Sequence, residues 1–290
     1  MKSKLIALDI DGTILDNIAG ISVPAAVREA INDAREAGAK VCLSSSRPTF
    51  FMQDATKGLD EIDALVGCSG ASIVIASDHP VIASDHPVIA SDHPVIASAA
   101  KQSSFIPFYN DRLSLPIIHA CLEIAKKWNL YLSFPGEEVF YARKKKGADN
   151  EPESYPFIFM NDEELLKKLQ KAPVSCAFLF DEPGMPEDFI SQDPSLAAAS
   201  VHWSGENTYT ITEKGVDKGT GVLRLADHWG IPREAILSVG NDANDIPMMK
   251  VSGVSVAVEN ANPVIFEYAD WIAPSVKDAG AAEAIRRFAL

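Results

Sequence analysis

The pattern of hydrophobic and polar positions divides the chain into regions of two kinds. In the first and last thirds, short apolar runs predict strands at Leu5–Leu8, Lys40–Ser44 and Ile236–Val239. Amphipathic segments between such runs predict helices, for example at 24–37 and 218–229, each followed by a glycine. Alternating strands and helices are typical of a parallel sheet with helices on both faces. These regions therefore predict an α/β fold with a Rossmann-like core.

The middle of the chain, residues 99–204, has a different pattern. Its predicted strands come in pairs with helices between them, which is typical of a small α+β domain. We therefore expect a discontinuous core at 1–98 and 205–290, with residues 99–204 inserted as a second domain. The further elements predicted for the core are helices at 51–58, 246–251, 263–268 and 279–288 and strands at 64–68, 208–212, 254–258 and 271–273; those of the inserted domain are helices at 116–128 and 162–171 and strands at 130–134, 139–142 and 174–181.

Residues 75–98 carry a seven-residue repeat, Ile-Ala-Ser-Asp-His-Pro-Val, with copies that start at residues 75, 82 and 89 and a partial fourth copy. One copy predicts a hairpin whose first strand is Ser72–Ala76 and whose second is Val-Ile-Ala-Ser. The extra residues extend this hairpin, loop out or pair with another chain, so an oligomer is possible. A metal site is a further alternative, but a structural or accidental repeat is favoured, because copying one turn also copies its acidic and histidine pair: Asp78, His79, Asp85, His86, Asp92 and His93.

Composition and charge narrow the class of protein. A chain of 290 residues is long enough for one large domain or two ordinary ones, and 47% hydrophobic with 23% charged residues is typical of a globular protein. A formal net charge of −14 disfavours non-specific binding to nucleic acid or to an anionic membrane. It still permits an anionic substrate, because a bound metal and local cations can reverse the field at a site.

Cysteine usage and the chain start predict a location. The four cysteines have no metal-type spacing, which favours buried free thiols in a reducing compartment over disulfides. The chain begins Met-Lys-Ser-Lys and continues directly into the first strand, unlike a signal peptide. No apolar stretch reaches the ~18 residues of a membrane span. We therefore expect a cytoplasmic protein that is not bound to membranes.

The strongest candidate for chemistry is Asp9-Ile10-Asp11-Gly12-Thr13, which follows the first predicted strand. Two carboxylates at positions i and i+2 of a strand end point the same way, and the Gly-Thr pair allows a sharp turn. Such a site can hold a divalent cation and present one carboxylate as a nucleophile.

Three further segments lie at predicted element ends, and each has an ordinary structural explanation beside the chemical one. The hydroxyls of Ser44–Ser46, before Arg47 and Pro48, can donate to a bound anion or simply belong to a loop. Lys218 can contact a carboxylate and a phosphate together, or lie at the surface. Gly240–Asp245 can bind a hard cation, or form an Asx-rich loop that caps a helix.

Together, and in this order, these segments resemble the haloacid dehalogenase superfamily of phosphohydrolases. The resemblance is close to the Cof-type subgroup, whose type-2 cap domain is inserted between the second and third motifs. The matching motifs are Asp9–Thr13, Ser45–Pro48 where the family usually has Thr-Gly-Arg-Pro, Lys218-Gly219, and Gly240–Asp245.

The resemblance implies a mechanism and a set of site residues. Asp9 attacks the phosphorus of a phosphate monoester to form an aspartyl-phosphate, and Asp11 protonates the leaving alcohol and then activates water. Ser45 and Lys218 hold phosphoryl oxygens. The implied Mg²⁺ ligands are Asp9, the backbone carbonyl of Asp11, Asn241, Asp242 and Asp245; the implied substrate contacts are Gly12, Thr13, Ser46, Arg47 and Asn244.

Two departures from the family pattern concern this site. Asn241 stands where the family usually has a metal-binding aspartate, so Mg²⁺ affinity should fall unless Asp242 or Asp245 compensates. Cys68-Ser69-Gly70-Ala71 stands where the family often has Asn-Gly-Ala, which affects substrate contacts near Ser69 rather than the chemistry.

The function implied is Mg²⁺-dependent hydrolysis of small phosphorylated metabolites, sugar phosphates foremost. A phosphosugar mutase would instead depend on a bisphosphorylated activator. A non-catalytic phosphosugar-binding protein would bind without releasing phosphate. Two further features stay open: the basic run 143–146 is a solvated loop or attracts phosphate, and His202 and Trp203 pack or line a cleft.

Overall fold

The computed structural model describes residues 2–16, 22–55, 58–59, 62–76, 105–143, 156–180, 189–204 and 207–290. The described strands are β1 (Leu5–Leu8), β2 (Lys40–Ser44), β3 (Ala64–Gly67), β4 (Ser72–Ala76), β5 (Phe105–Asn110), β6 (Tyr131–Pro135), β7 (Phe140–Arg143), β8 (Phe157–Met160), β9 (Ala177–Phe180), β10 (Ala199–Trp203), β11 (Thr208–Glu213), β12 (Ile236–Gly240), β13 (Val254–Val258) and β14 (Trp271–Ala273). The described α-helices are α1 (Ala25–Glu36), α2 (Thr49–Ala55), α3 (Leu115–Trp128), α4 (Asp162–Lys171), α5 (Lys218–His228), α6 (Ile246–Val251) and α7 (Gly280–Phe288).

The first sheet has eight strands in the order β14-β13-β12-β1-β2-β3-β4-β5. The strands from β14 to β3 run parallel, and β4 and β5 continue the sheet antiparallel. α1 and α7 pack on one face, where apolar side chains such as Ile31 and Ile285 are buried. α5 and α6 cover the other face through Val222 and Met248. The predicted α/β core with helices on both faces is therefore confirmed.

The second sheet has six strands in the order β10-β11-β9-β6-β7-β8. Its pairs are antiparallel except β7 with β8. Strand residues alternate between two faces. One set, including Leu132 and Leu179, packs against α3 and α4 in a core of its own. The other set, including Phe140 and Phe178, packs toward Phe50 of the first domain, so the predicted α+β insertion is present and faces the core.

Both expected domain boundaries need correction. β5 lies after residue 98 but pairs with β4, so the first sheet extends to Asn110. β11 lies after residue 204 and matches the strand predicted at 208–212, but it pairs with β9 and β10 in the second sheet. Burial explains this second placement, because Tyr209 and Ile211 insert into the core of the inserted domain. The expected strand is present, but its expected place in the parallel sheet is wrong.

The predicted hairpin also needs correction. Ser72–Ala76 is a strand, but its two edges are taken by β3 and by Phe105–Asn110, so the repeat does not supply its partner. Ala76 pairs directly with Phe105, so the repeat begins inside β4 at Ile75 and continues into the connection between two paired strands. Residues 77–98, with their candidate metal ligands, and Lys144–Lys146 lie outside the described residues.

All four cysteines are free and buried, as predicted. Across the part of the chain that the structure describes, no helix combines the length and apolar character needed to cross a membrane.

Candidate active site

The four sequence motifs meet at one edge of the first sheet. β1 lies between β2 and β12, so the carboxyl ends of these three parallel strands are neighbours. Asp9 and Asp11 follow β1, Ser45 follows β2, and Asn241 follows β12. Lys218 is the first residue of α5, and its ammonium group contacts the carboxylate of Asp9. Chain topology thus brings together the residues that the sequence analysis selected.

A buried ion pair with two carboxylates forms the floor of the site. Lys218 is 1% exposed, and its Nζ lies 2.7 Å from Asp9 Oδ1 and 2.5 Å from Asp245 Oδ1. Burial opposes the charged lysine, but the two carboxylates outweigh it and raise the pKa of Lys218. The sequence favours this position locally, because Asp217 caps α5 through a reciprocal hydrogen-bond pair with Thr220. One ammonium group is thereby fixed between two acids.

Asp9 is the group most affected by this arrangement. Its second oxygen, Oδ2, accepts a 3.0 Å hydrogen bond from the Thr13 hydroxyl, and Oδ1 of Asn241 lies 3.2 Å from the same hydroxyl. Burial and repulsion from Asp245 raise the pKa of Asp9 to about 7, although Lys218 acts in the opposite direction. Because one lysine serves two buried acids, the floor of the site carries excess negative charge.

Asp11 is held from the other side of the site. Arg47 donates to both of its carboxylate oxygens, from Nε at 2.8 Å and from Nη2 at 2.7 Å. Such a bidentate pair fixes the orientation of both groups. The guanidinium also lies over the ring of Phe51, with 5.1 Å to the ring centre. Arg47, expected to contact substrate, is therefore also the partner of the expected acid and base. We use "charged edge" for Asp9, Asp11, Arg47, Lys218 and Asp245.

Asp245 contributes to this edge as a positioning group. Its carboxylate is fully buried: Oδ1 accepts from Lys218, and Oδ2 accepts from the backbone N–H groups of Asn241 and Asp242 at 2.9 and 3.1 Å. These contacts explain the loop after β12 and leave the direct metal contact expected of Asp245 without support. Asp242 lines the cavity instead, and burial raises its pKa.

The remaining oxygen donors fit a hard divalent cation such as Mg²⁺. Carboxylate and amide oxygens of Asp9, Asn241 and Asp242 line one cavity, and those of Asp9 and Asn241 converge on the Thr13 hydroxyl. Oxygen ligands are the ones that Mg²⁺ prefers. Within the described residues no group of three or more His, Cys, Asp and Glu side chains is already arranged around a metal position.

The serines and Asn244 form a second, neutral group at the site. Ser45 Oγ accepts from the backbone N–H of Arg47 at 3.2 Å. Ser46 Oγ lies 3.0 Å from Ser69 Oγ and accepts from Asn244 Nδ2 at 3.0 Å. Ser45, Ser46 and Asn244 all line the cavity. Ser69 belongs to the segment that departs from the family pattern. It is buried beside Ser46 and is not among the residues that line the cavity.

Gly12 shows why the turn after Asp11 requires glycine. Its φ is +81°, and a Cβ atom there would lie 2.3 Å from Asn241 Nδ2. The Gly12 carbonyl accepts from Asn260 Nδ2 at 2.8 Å, while Asn262 Nδ2 donates to Asp242 Oδ1 at 3.2 Å. These two asparagines were not selected from sequence; they lie in the loop after β13, which topology places beside β12.

A cavity of about 290 Å³ separates the charged edge from the second sheet. The residues that line it from the second domain were missed by the sequence analysis: Phe140, Phe157, Phe178 and Phe180, which we call the phenylalanine wall, with Ser204 and Thr208. The spacing of Phe178 and Phe180 was a local signal for part of this wall, because residues i and i+2 of a strand share a face.

Three residues with open interpretations have structural roles. His202 and Trp203 are not among the cavity-lining residues. His202 Nε2 lies 2.9 Å from the carbonyl of Val216, and burial lowers the pKa of this imidazole. Arg143, the described member of the basic run, is buried and donates from Nε to Asp162 Oδ1 at 3.0 Å.

Comparison with known proteins agrees with this arrangement. A family model for haloacid dehalogenase-like hydrolases matches residues 6–106 and 85–285. The 5-amino-6-(5-phospho-D-ribitylamino)uracil phosphatase YwtE of Bacillus subtilis is 27% identical over 292 residues, which cover 96% of each chain. The stress response protein YhaX of the same organism is 25% identical, over 99% of this chain and 94% of the relative.

Solved structures show the same fold along almost the whole chain. The subclass IIB sugar phosphatase BT4131 superposes with a TM-score of 0.76 at 18% identity, over 99% of each chain. BT1666 from Bacteroides thetaiotaomicron gives 0.75 at 19% identity, over 99% of this chain and 95% of its own. The chain therefore belongs to the haloacid dehalogenase-like hydrolases, and it is a phosphatase of that family with the Cof-type inserted cap.

Proposed function

We propose that this enzyme hydrolyses small phosphate monoesters in two steps, with Asp9 as the nucleophile and Asp11 as the acid and base, and that it requires Mg²⁺. The observation that carries this proposal is the buried Lys218–Asp9 contact of 2.7 Å, beside an Asp11 that faces the same cavity. The lysine fixes one oxygen of Asp9 and supplies positive charge where a phosphoryl group would arrive. Such fixed charges are the main source of catalysis in phosphoryl transfer.

In the first step, an oxygen of Asp9 forms a bond to phosphorus while the bond from phosphorus to the ester oxygen breaks. The leaving oxygen takes a proton from the neutral, protonated form of Asp11, and the proton that Asp11 later takes from water restores that form. To deliver that proton, Asp11 must leave its bidentate pair with Arg47. The incoming phosphate offers the guanidinium an alternative anion of suitable shape, so substrate binding and release of Asp11 are coupled.

In the second step, Asp11 removes a proton from a water molecule whose oxygen attacks phosphorus. The bond from phosphorus to Asp9 then breaks, which frees inorganic phosphate and restores the Asp9 carboxylate. Ser45, Ser46 and Asn244 line the cavity beside these groups and can donate to the phosphoryl oxygens. Splitting one displacement into two is the advantage of a covalent intermediate.

The proposed ligands of the cation are Asp9, the backbone carbonyl of Asp11, Asn241 and Asp242. When bound there, Mg²⁺ polarises a phosphoryl oxygen and offsets the excess negative charge of the site. Asp245 serves this set indirectly, because it holds the loop that carries Asn241 and Asp242.

The relatives support a small phosphorylated metabolite as substrate. They include the 5-amino-6-(5-phospho-D-ribitylamino)uracil phosphatase YwtE and the sugar phosphatase BT4131. A cytoplasmic location and association through the repeat stay predictions. The first is consistent with four free buried cysteines.

The decisive experiment measures phosphate release from a panel of monoesters, with Mg²⁺ and with a chelator. Asp9→Asn should abolish turnover, whereas Asp33→Asn, an exposed aspartate on α1, should retain it. Wild-type enzyme quenched during turnover should carry radiolabelled phosphate that hydroxylamine releases, and Asp9→Asn should carry none.

Other outcomes would point to the alternatives. Turnover that survives Asp9→Asn would contradict the assignment of the nucleophile. Isomerised phosphosugar that needs a bisphosphorylated activator would indicate a mutase. Saturable binding of an ester without release of phosphate would indicate a binding protein.

A further inference from the structure

We propose that the preferred substrate carries a flat aromatic or heteroaromatic ring in its leaving group, and that this ring binds against the phenylalanine wall. The inference rests on the proposed phosphatase function and specifies its substrate class. It differs from the sugar phosphates that the sequence analysis expected.

The phenylalanines are placed where the leaving group of a bound ester would lie. Phe140, Phe157 and Phe178 come from β7, β8 and β9, and all of them line the cavity opposite the charged edge. Phe178 and Phe180 share one face of β9, while Ala177 and Leu179, which alternate with them, face the core of the inserted domain. The sheet register thus directs large rings toward the reacting groups.

The contacts among these rings also favour an aromatic ligand. The ring centres of Phe140 and Phe157 lie 5.1 Å apart with 35° between the ring planes. Phe140 also meets Phe178 at 6.1 Å and Phe50 of the first domain at 5.5 Å, both edge to face. Phe157 and Phe180 remain partly exposed, so their rings retain surface for a guest. An added aromatic ring would extend a cluster that already has favourable geometry.

The distribution of polar groups around the cavity favours an apolar leaving group. Among the described residues, Ser204 and Thr208 are the polar side chains that line it from the second domain, and the charged lining residues all belong to the first. A polyol or a second phosphate would need several hydrogen bonds or a cation on that side, because buried polar groups without partners cost free energy. A flat ring buries mainly apolar surface and therefore needs few polar partners on that side.

The two ends of the cavity therefore select one kind of molecule. Its phosphate end meets Asp9, Asp11 and Arg47, and its apolar end meets the phenylalanine wall. A cavity of about 290 Å³ suits a compact ester rather than a nucleotide with several phosphates.

The test compares three primary phosphate esters: benzyl phosphate, cyclohexylmethyl phosphate and ribose 5-phosphate. The first two differ in ring flatness and π-character at similar size, and the third presents hydroxyls. We expect kcat/KM for benzyl phosphate to exceed that of each of the others by about 3-fold to 10-fold, the range expected of one aromatic contact. Equal values for benzyl and cyclohexylmethyl phosphate, or a preference for ribose 5-phosphate, would overturn the inference.

Matched substitutions locate the effect. Phe157→Leu should raise KM for benzyl phosphate by about 3-fold to 10-fold, because one ring contact is lost. The same substitution should change kcat/KM for ribose 5-phosphate by less than about 2-fold, because that substrate has no aromatic ring to contact Phe157. Phe189→Leu is the control: Phe189 is a partly buried ring of the second domain that contacts Trp128 and does not line the cavity. Equal losses in both variants, or on both substrates, would mean that the rings serve packing alone.

Failure of the inference and failure of the proposed function are distinguishable. If no ester of the panel releases phosphate, the phosphatase proposal fails. If ribose 5-phosphate is hydrolysed best through Asp9, the function stands and the aromatic preference is wrong.

Discussion

The two walls of the cavity are built in opposite ways. On the charged edge, each acid has a fixed partner: Lys218 lies between Asp9 and Asp245, and Arg47 holds Asp11 through two hydrogen bonds. The phenylalanine wall places no charge in the cavity, and two of its rings, Phe157 and Phe180, are only partly covered. The difference separates catalysis from substrate selection. Catalysis needs charged groups that are fixed in position before the substrate binds. Substrate selection needs an apolar surface that the bound ligand covers.

This comparison predicts different consequences for the two walls. Changes at the charged edge should lower stability and kcat together, since the same buried contacts serve both. Changes at the phenylalanine wall should act mainly on KM and on the choice of ester.

The largest expected effect comes from Lys218→Met. It would leave Asp9 and Asp245 buried without their shared cation, which typically costs about 3–5 kcal/mol. We expect a corresponding loss in the free energy of unfolding, measured in urea, and no detectable phosphate release. Adding Asp245→Asn should recover part of the stability but no activity.

Lys277→Met provides the control for this prediction, because Lys277 is exposed. A Lys218→Met protein as stable as the control would contradict the view that this ion pair holds the floor of the site together.

A smaller effect should come from Asp63, a buried acid of the same domain. Burial acts to raise its pKa, but hydrogen bonds from Arg35, Lys40 and the Val41 N–H outweigh burial and hold the pKa below its ordinary value. A lowered folded-state pKa adds stability that is fully present above the unfolded value of about 4 and is lost as pH falls through the folded pKa. Asp63→Asn should therefore cost roughly 1–2 kcal/mol at pH 7.

Urea unfolding at several pH values checks this prediction, with Asp33→Asn as the exposed control. The difference between wild type and Asp63→Asn should shrink below about pH 4, where protonation removes the carboxylate's advantage. A difference that stays constant down to the lowest pH would show that the carboxylate charge is not the source.

The smallest effect concerns Asn241, the neutral side chain among the proposed cation ligands. Asn241→Asp adds a charge beside the proposed Mg²⁺ position, and we expect the ion to bind about 10-fold more tightly. Calorimetric titration with Mg²⁺ measures this directly, with exposed Asn207→Asp as control. Unchanged or weaker binding would contradict the assignment of Asn241 as a ligand.

Sequence predicted the first domain well because its signals are local. Runs such as Leu5–Leu8 and Ile236–Val239 are apolar enough to be buried on both sides, and their parallel pairing is confirmed. β5 was missed because its sequence, Phe-Ile-Pro-Phe-Tyr-Asn, contains a proline and pairs through an irregular register with Ile73 and Val74. A proline is tolerated at the outer strand of a sheet, where no further neighbour needs its N–H.

The candidate site also contains residues that local sequence patterns identified and contacts that they did not. Asp9 and Lys218 could be selected from motif and position, and their contact is observed. The pairing of Arg47 with Asp11 could not be derived, because it depends on how two loops meet in space. The phenylalanine wall required the register of the second sheet, which no local pattern specifies.

The pairing of Ala76 with Phe105 indicates how the number of heptapeptide copies can change during evolution without disturbing the sheet. Any segment placed between these two residues leaves and re-enters the sheet at adjacent points, so a gain or loss of whole copies does not shift the register of β4 and β5. Each doubling of such a connection adds only about 0.6 kcal/mol of closure entropy. Replication slippage in the gene could therefore change the copy number while the active site, at the other end of β3 and several strands away, continues under selection unaltered.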